Sequence, residues 1–168
     1  DHAARAPLAL AAAAFPDDAA VQANWSLCLQ RLGEADAALA VSDRVLALAP
    51  GHADAQYNRG LILLALNRSD DAAAAFRHAV RLAPTRVQAW RQLAETEQRQ
   101  GRYLEAELAW QRAVALRPDD GALVTGLAGL LHDAGMFEAA LGAAERALAL
   151  DPASVPARLQ RAAALRRL

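Results

Sequence analysis

The sequence predicts an all-α solenoid of stacked antiparallel helix pairs. Three observations carry that expectation. Pro16, Pro50, Pro84, Pro118 and Pro152 fall 34 residues apart over the whole chain. Gly33, Asn67, Gly101 and Gly135 keep the same step, each 17 residues before the next of these prolines. Small residues recur in register at Ala4, Ala38, Ala72, Ala106 and Ala140, and again at Ser26, Gly60, Ala94, Ala128 and Ala162. A fixed period of this length marks a repeat architecture, in which each repeat buries its apolar face only against its neighbours.

Counting the recurring proline as place 32 divides the chain into a leading half repeat, 1–18, carrying only a second helix. Four complete repeats follow, 19–52, 53–86, 87–120 and 121–154, and then a first helix alone, 155–168. The stretch "APLALAAAAFP", Ala6 to Pro16, has the look of a signal-peptide core but carries an early proline and no basic leader. It reads better as the end of the leading half repeat, with Ala4, Leu8, Ala11 and Pro16 in place. The half repeats suggest a piece of a longer array whose end faces stack on other molecules.

Each repeat divides in two. In 53–86 the first helix is expected from about Ala55 to Leu66, a turn at Asn67–Arg68, and the second helix to about Leu82. Gly or Asn at the turn suits the left-handed residue that ends a helix. Ser69, Asp70 and Asp71 place cap-forming and acidic residues at the next helix start. The proline then stops the helix. Gly60 is expected to face the region of Ala72, where two helices joined by a short turn come closest. Leu63, Phe76, Val80 and Leu82, then Trp90, Leu93, Trp110, Val114 and Leu116, are the expected filling between repeats. Ser42 and Ala144 replace the large residue of the second helix and should thin those layers. Glu97 stands where Leu29, Leu63 and Leu131 stand elsewhere, and reads as a snorkelling or ion-paired carboxylate.

This pattern resembles the tetratricopeptide repeat, a 34-residue helix-turn-helix unit. Trp90, Leu93, Ala94, Ala106, Trp110, Ala113 and Pro118 match its signature, as do Gly60, Leu63, Ala72, Phe76, Ala79 and Pro84. The resemblance covers essentially the whole chain and implies a right-handed superhelix with the first helices lining a concave groove. It further implies that places 2, 5, 6, 9, 12 and 13 face that groove.

The residues offer little chemistry of another kind. The chain is 55% hydrophobic and 22% charged with a net charge of −1, too apolar for disorder and without an electrostatic footprint for nucleic acid. Arg158, Arg161, Arg166 and Arg167 read as a solvated helix face. The single Cys28 sits between Leu27 and Leu29 and is expected to be buried. His2, His52, His78 and His132 form no metal-binding spacing, and no P-loop, G-x-S-x-G or G-x-G-x-x-G occurs. The glycine-rich run Thr125 to Gly135 is expected to serve close packing. His132 and Asp133 are adjacent, so their side chains are expected to diverge. The chain is therefore read as non-catalytic, without cofactor or metal. With no membrane-spanning stretch or signal peptide in this chain, a cytoplasmic setting is expected. Arginine used in preference to lysine, with abundant alanine, points to a GC-rich bacterial genome.

What the resemblance implies for function is a protein-binding scaffold holding an extended segment of a protein or peptide partner. Place 6 gives a row of amides, Asn24, Asn58, Gln92 and Gln160, interrupted by Gly126. Amide side chains donate and accept together, which suits a peptide backbone. A row of this kind is similar to the asparagine ladder of protein O-linked N-acetylglucosamine transferases, although helix-surface asparagine is common at this place. Leu27, Tyr57, Leu61 and Leu64 form an apolar stretch beside the ladder; Gln88, Arg91, Glu95, Gln98 and Arg99 form a polar one. A clamp for chaperone C-termini is not expected. It would need Lys, Asn, Asn, Lys and Arg where this chain has Ala23, Leu27, Asn58, Gln88 and Gln92. Two other roles fit the same residues: the substrate-recruiting arm of a larger enzyme such as a protein glycosyltransferase, or a homo-oligomer built by stacking the end helices.

Overall fold

The computed structural model describes residues 2–168. Asp1 and the side chains of His2, Ala3 and Ala4 lie outside the described residues, and with them the small residue expected at Ala4. The chain forms two compact bodies, one ending at Pro84 and one beginning at Thr85. The N-terminal body holds α1 (His2–Ala14), α2 (Ala19–Arg31), α3 (Ala35–Leu48), α4 (Ala53–Ala65) and α5 (Ser69–Leu82). The C-terminal body holds α6 (Val87–Arg99), α7 (Tyr103–Leu116), α8 (Gly121–Asp133), α9 (Phe137–Leu150) and α10 (Val155–Leu165). The described residues contain no strand.

The turns within pairs share one construction. Gly33, Asn67, Gly101 and Gly135 have φ of +78°, +58°, +71° and +78°. In each, the N–H of the following residue reaches back five places. Glu34 donates to the carbonyl of Leu29 (3.0 Å), Arg68 to Leu63 (2.9 Å), Arg102 to Glu97 (3.0 Å) and Met136 to Leu131 (2.9 Å). This is the Schellman closure, which satisfies carbonyls the helix leaves open. Because the residue after the turn is also the N-cap of the next helix, that helix begins without a side-chain cap. Ser69 is already the first helical residue and caps nothing, contrary to expectation, while Asp70 and Asp71 keep their favourable place in the first turn. Four of the five first helices are capped by a side chain, the exception being α6 with Arg86 at its N-cap. Asp18 and Asp120 each accept two backbone N–H bonds; His52 and Ser154 each accept one.

The close approach within a pair admits an aromatic ring. A Cβ on Gly60 would lie 2.4 Å from Phe76 Cε1, so the glycine makes room for the Phe76 ring of the paired helix. Phe76 and Ala72 are both wholly buried. Trp110 occupies the same place one repeat later but seats forward: a Cβ on Gly126 would lie 2.2 Å from its Cη2. Where Ser42 replaces the aromatic, the layer closes. Only about 10 Å³ of void remains among Ala23, Ser26, Ser42, Val45, Ala55 and Asn58, and Ser26 Oγ donates to the Ala38 carbonyl at 2.9 Å.

Most of the expected filling is inside. Leu63, Phe76, Val80, Leu93, Trp110 and Val114 are buried, and Cys28 is too. Trp90 and Leu116 are only half-buried, and Leu82 is an exposed residue near its helix end. Glu97 is fully buried and paired with Arg102, whose Nε donates to Glu97 Oε2. Of the two readings of Glu97, the ion pair is the one realised.

Two sets of stability measurements follow. Gly60→Ala overpacks the Phe76 seat and should destabilise the protein by roughly 1–3 kcal/mol in denaturant unfolding. Gly142→Ala, on α9 with nothing within 4 Å of the new Cβ, should stabilise by about 0.5–1 kcal/mol; equal effects at the two sites would contradict the packing. Arg102→Ala removes an ion-pair partner from a buried carboxylate and should cost about 3 kcal/mol, whereas Glu97→Leu, the residue of the other repeats, should be near neutral or stabilising. A larger loss for Glu97→Leu would reverse that account.

Candidate functional site

The expected groove residues fall into two sets, one in each body. In the N-terminal body, α2 carries Asn24, exposed, and Leu27, half-buried; α4 carries Tyr57, Asn58, Leu61 and Leu64, all half-buried. The Tyr57 ring rests on Phe76, with centroids 5.8 Å apart and planes tilted by 53°. Phe76, held in the Gly60 seat, thus supports the aromatic side chain of this face from beneath. Leu27, Tyr57 and Leu61 keep apolar surface in reach of solvent, with Asn58 beside them and Asn24 on the neighbouring helix.

In the C-terminal body, α6 presents Gln88, Arg91 and Arg99 as exposed residues and Gln92 and Glu95 as half-buried ones. Glu95 gathers the cluster. Arg91 Nε lies 3.5 Å from its Oε1, Gln92 Nε2 donates to Oε2 at 3.2 Å, and Arg99 Nε donates to its main-chain carbonyl at 3.1 Å. The Gln92 amide is therefore partly engaged within its own helix. Gln160, on α10, lies over α8 instead of joining this cluster: its Nε2 is 3.3 Å from where a Gly129 Cβ would be. The interruption at Gly126 has a steric cause, since the Trp110 indole fills the space a side chain there would need.

Gln98 has a different role from its polar neighbours. Its Oε1 accepts from Trp110 Nε1 at 3.2 Å and its Nε2 donates to Asp133 Oδ2 at 2.7 Å, tying α6 to α7 and α8. A buried indole N–H needs an acceptor, and that requirement was the available signal in the sequence. His132 and Asp133 do not diverge as expected: Nδ1 lies 3.7 Å from Oδ1. His132 also packs edge-on against Phe137, at 5.5 Å, and Arg167 lies 5.0 Å above the same ring. These contacts account for the pair as packing at the end of α8. The described residues contain no group of three His, Cys, Asp or Glu placed to hold a metal.

Sequence reasoning did not anticipate the clefts. Two lie in the N-terminal body at equivalent places one repeat apart. One, of about 410 Å³, is lined by Ala9, Gln22, Trp25 and Arg44; the other, of about 330 Å³, by Asp43, Gln56, Arg59 and His78. Gln22 and Gln56 stand where the next repeat has Trp90, and this smaller side chain was the visible signal. Gln22 is buried and donates to the carbonyls of Ala12 (2.8 Å) and Phe15 (3.2 Å); Arg59 pairs with Asp43 at 2.7 Å. None of the expected groove residues lines either cleft. A third, of about 230 Å³, lies between the N-terminal ends of α8 and α10, lined by Ala122, Thr125, Asp151, Ser154 and Pro156.

Comparison with known proteins places this arrangement. No curated protein matches the sequence. Among solved structures, the crystal structure of MamA is similar with 16% identity and a TM-score of 0.81, covering 86% of this chain and 85% of that one. MamA 41-end from Desulfovibrio magneticus RS-1 is 23% identical with a TM-score of 0.78, covering 86% and 81%. YrrB, described as a TPR protein with an unusual peptide-binding site, is 23% identical with a TM-score of 0.79, covering 95% and 88%. At these identities the likeness speaks for the fold. No helix of the described residues is long and apolar enough to cross a membrane. The tetratricopeptide repeat family model matches residues 24–87 and 91–155, and the chain belongs to that family.

Proposed function

We propose that this chain is a non-catalytic protein-binding scaffold that holds an extended segment of a partner against its first helices. The observation that carries the reading is the face on α2 and α4. Leu27, Tyr57 and Leu61 are half-buried apolar side chains next to the amides of Asn24 and Asn58. Apolar anchors beside groups that donate and accept suit a peptide whose side chains seek pockets and whose backbone seeks hydrogen bonds. The peptide-binding site of YrrB, a protein of similar fold, supports the same use. In the C-terminal body the α6 residues Gln88, Arg91, Gln92, Glu95 and Arg99 are the corresponding set, with Glu95 holding Arg91, Gln92 and Arg99. Those residues set register and selectivity more than affinity. Gln160 contributes its amide from α10 in the same manner.

A displayed library of extended peptides, selected on this chain, tests the reading. The selected peptides should perturb the NMR amide signals of Asn24 and Asn58, and the Asn24→Ala, Asn58→Ala, Leu61→Asp variant should bind them about tenfold more weakly or worse. Undiminished binding by a folded variant would move the site away from this face.

A further inference from the structure

The larger cleft of the N-terminal body joins an apolar slot to a buried acceptor. Ala9 and Ala12 of α1 and Val41 of α3 line it together with Gln22 and Trp25 of α2. Gln22 is only 3% exposed. Its Nε2 donates to the carbonyls of Ala12 and Phe15, so both amide hydrogens are used. Turning the amide over would set its oxygen against those two carbonyl oxygens, which fixes the orientation. The end of α1 thus accounts for the nitrogen of Gln22 but not for its oxygen. No donor among the described residues reaches Oε1, and an acceptor so far from bulk water calls for one.

The surroundings say which donor fits. Small walls beside an aromatic side chain, Trp25, suit a flat ring. An indole N–H donates and never accepts, which matches an acceptor whose own amide hydrogens are spent. The third repeat itself places an indole, Trp90, where this one has Gln22. Arg44 also lines the cleft; its side chain is half-exposed, and its pairing with Asp17, at 3.6 Å, is too long for a hydrogen bond. That guanidinium suits a carboxylate beside the ring. We infer that the cleft between α1 and α3 docks a tryptophan of a partner protein flanked by acidic residues, its indole N–H donating to Gln22 Oε1 and a neighbouring carboxylate meeting Arg44. The site shares no residue with the face on α2 and α4. The smaller cleft one repeat on supplies an internal control. There Asp43, Leu46, Arg59 and His78 replace Ala9, Ala12, Trp25 and Arg44, and the Asp43–Arg59 ion pair takes the place of the apolar slot.

A capped peptide with one tryptophan between aspartates, titrated at low salt into the isotope-labelled chain, probes the site by NMR. It should bind with a Kd of about 1 mM or tighter, shifting the Gln22 side-chain amide and the Trp25 indole while leaving the Gln56 side chain unmoved. Phenylalanine in place of the peptide's tryptophan removes the donor and should weaken binding about fivefold or more. Gln22→Trp installs the residue of the third repeat, fills the cleft and should abolish binding. Arg44→Glu changes an exposed residue and should leave the fold intact while shifting preference to a peptide with lysines in place of the aspartates. No binding up to about 5 mM, shifts confined to Asn58 and Leu61, equal affinity for the phenylalanine peptide, or an unaltered preference in Arg44→Glu would each overturn the inference.

Discussion

The packing of this protein turns on aromatic rings seated where a glycine removes a side chain. Phe76 enters the space that Gly60 leaves, and Trp110 enters the space that Gly126 leaves. Both rings are almost completely shielded from water. Glycine within a helix costs about 1 kcal/mol relative to alanine, less than the burial of a large aromatic side chain returns. The two seats point in different directions along the chain: Phe76 into its own repeat, Trp110 into the next. That difference reaches the surface. Phe76 supports Tyr57 on the α4 face, whereas Trp110 removes a side chain from the amide row at Gly126 and fixes Gln98 through its indole N–H.

The candidate binding surface therefore inherits its chemistry from the layer beneath it. Where the second helix offers a small residue, as at Ser42, place 6 of the next repeat carries an amide, Asn58. Where it offers Trp110, that place becomes Gly126. Gln160, after Ala144, lies over Gly129. On α6 the hydrogen bonds run among the surface residues themselves, centred on Glu95, and the buried Glu97–Arg102 pair lies at the helix end where the other repeats place leucine. The Glu97 carbonyl still closes its turn as those of Leu29, Leu63 and Leu131 do, because the Schellman bond is a main-chain feature indifferent to the side chain.

Backbone features were the most legible in the sequence. Proline and glycine act through their own dihedral limits, so Asn67 and Gly101 announce their turns without reference to any partner. Side-chain partners were less legible, since they depend on which neighbour a rotamer selects. Gly60 was legible as a close approach, but not that the Phe76 ring fills the space it leaves. Ser69 has the composition of a cap but not the position, because the Schellman turn already uses the preceding residue. Gln98 reads as one more groove residue, although its amide is tied to Trp110 and Asp133. The clefts beside Gln22 and Gln56 were hardest to foresee. They arise from the absence of bulk at places where a large residue stands in the next repeat.

The most direct test of the seating constraint is a double-mutant cycle in the C-terminal body, measuring unfolding free energy for Gly126→Ala, Trp110→Phe and their combination. If the Trp110 ring occupies the place of the missing side chain, Gly126→Ala should cost roughly 1–3 kcal/mol in the parent. It should be nearly free, or stabilising, beside the shorter phenylalanine. Additivity within about 0.5 kcal/mol would show that the two residues do not share that space and would contradict the account.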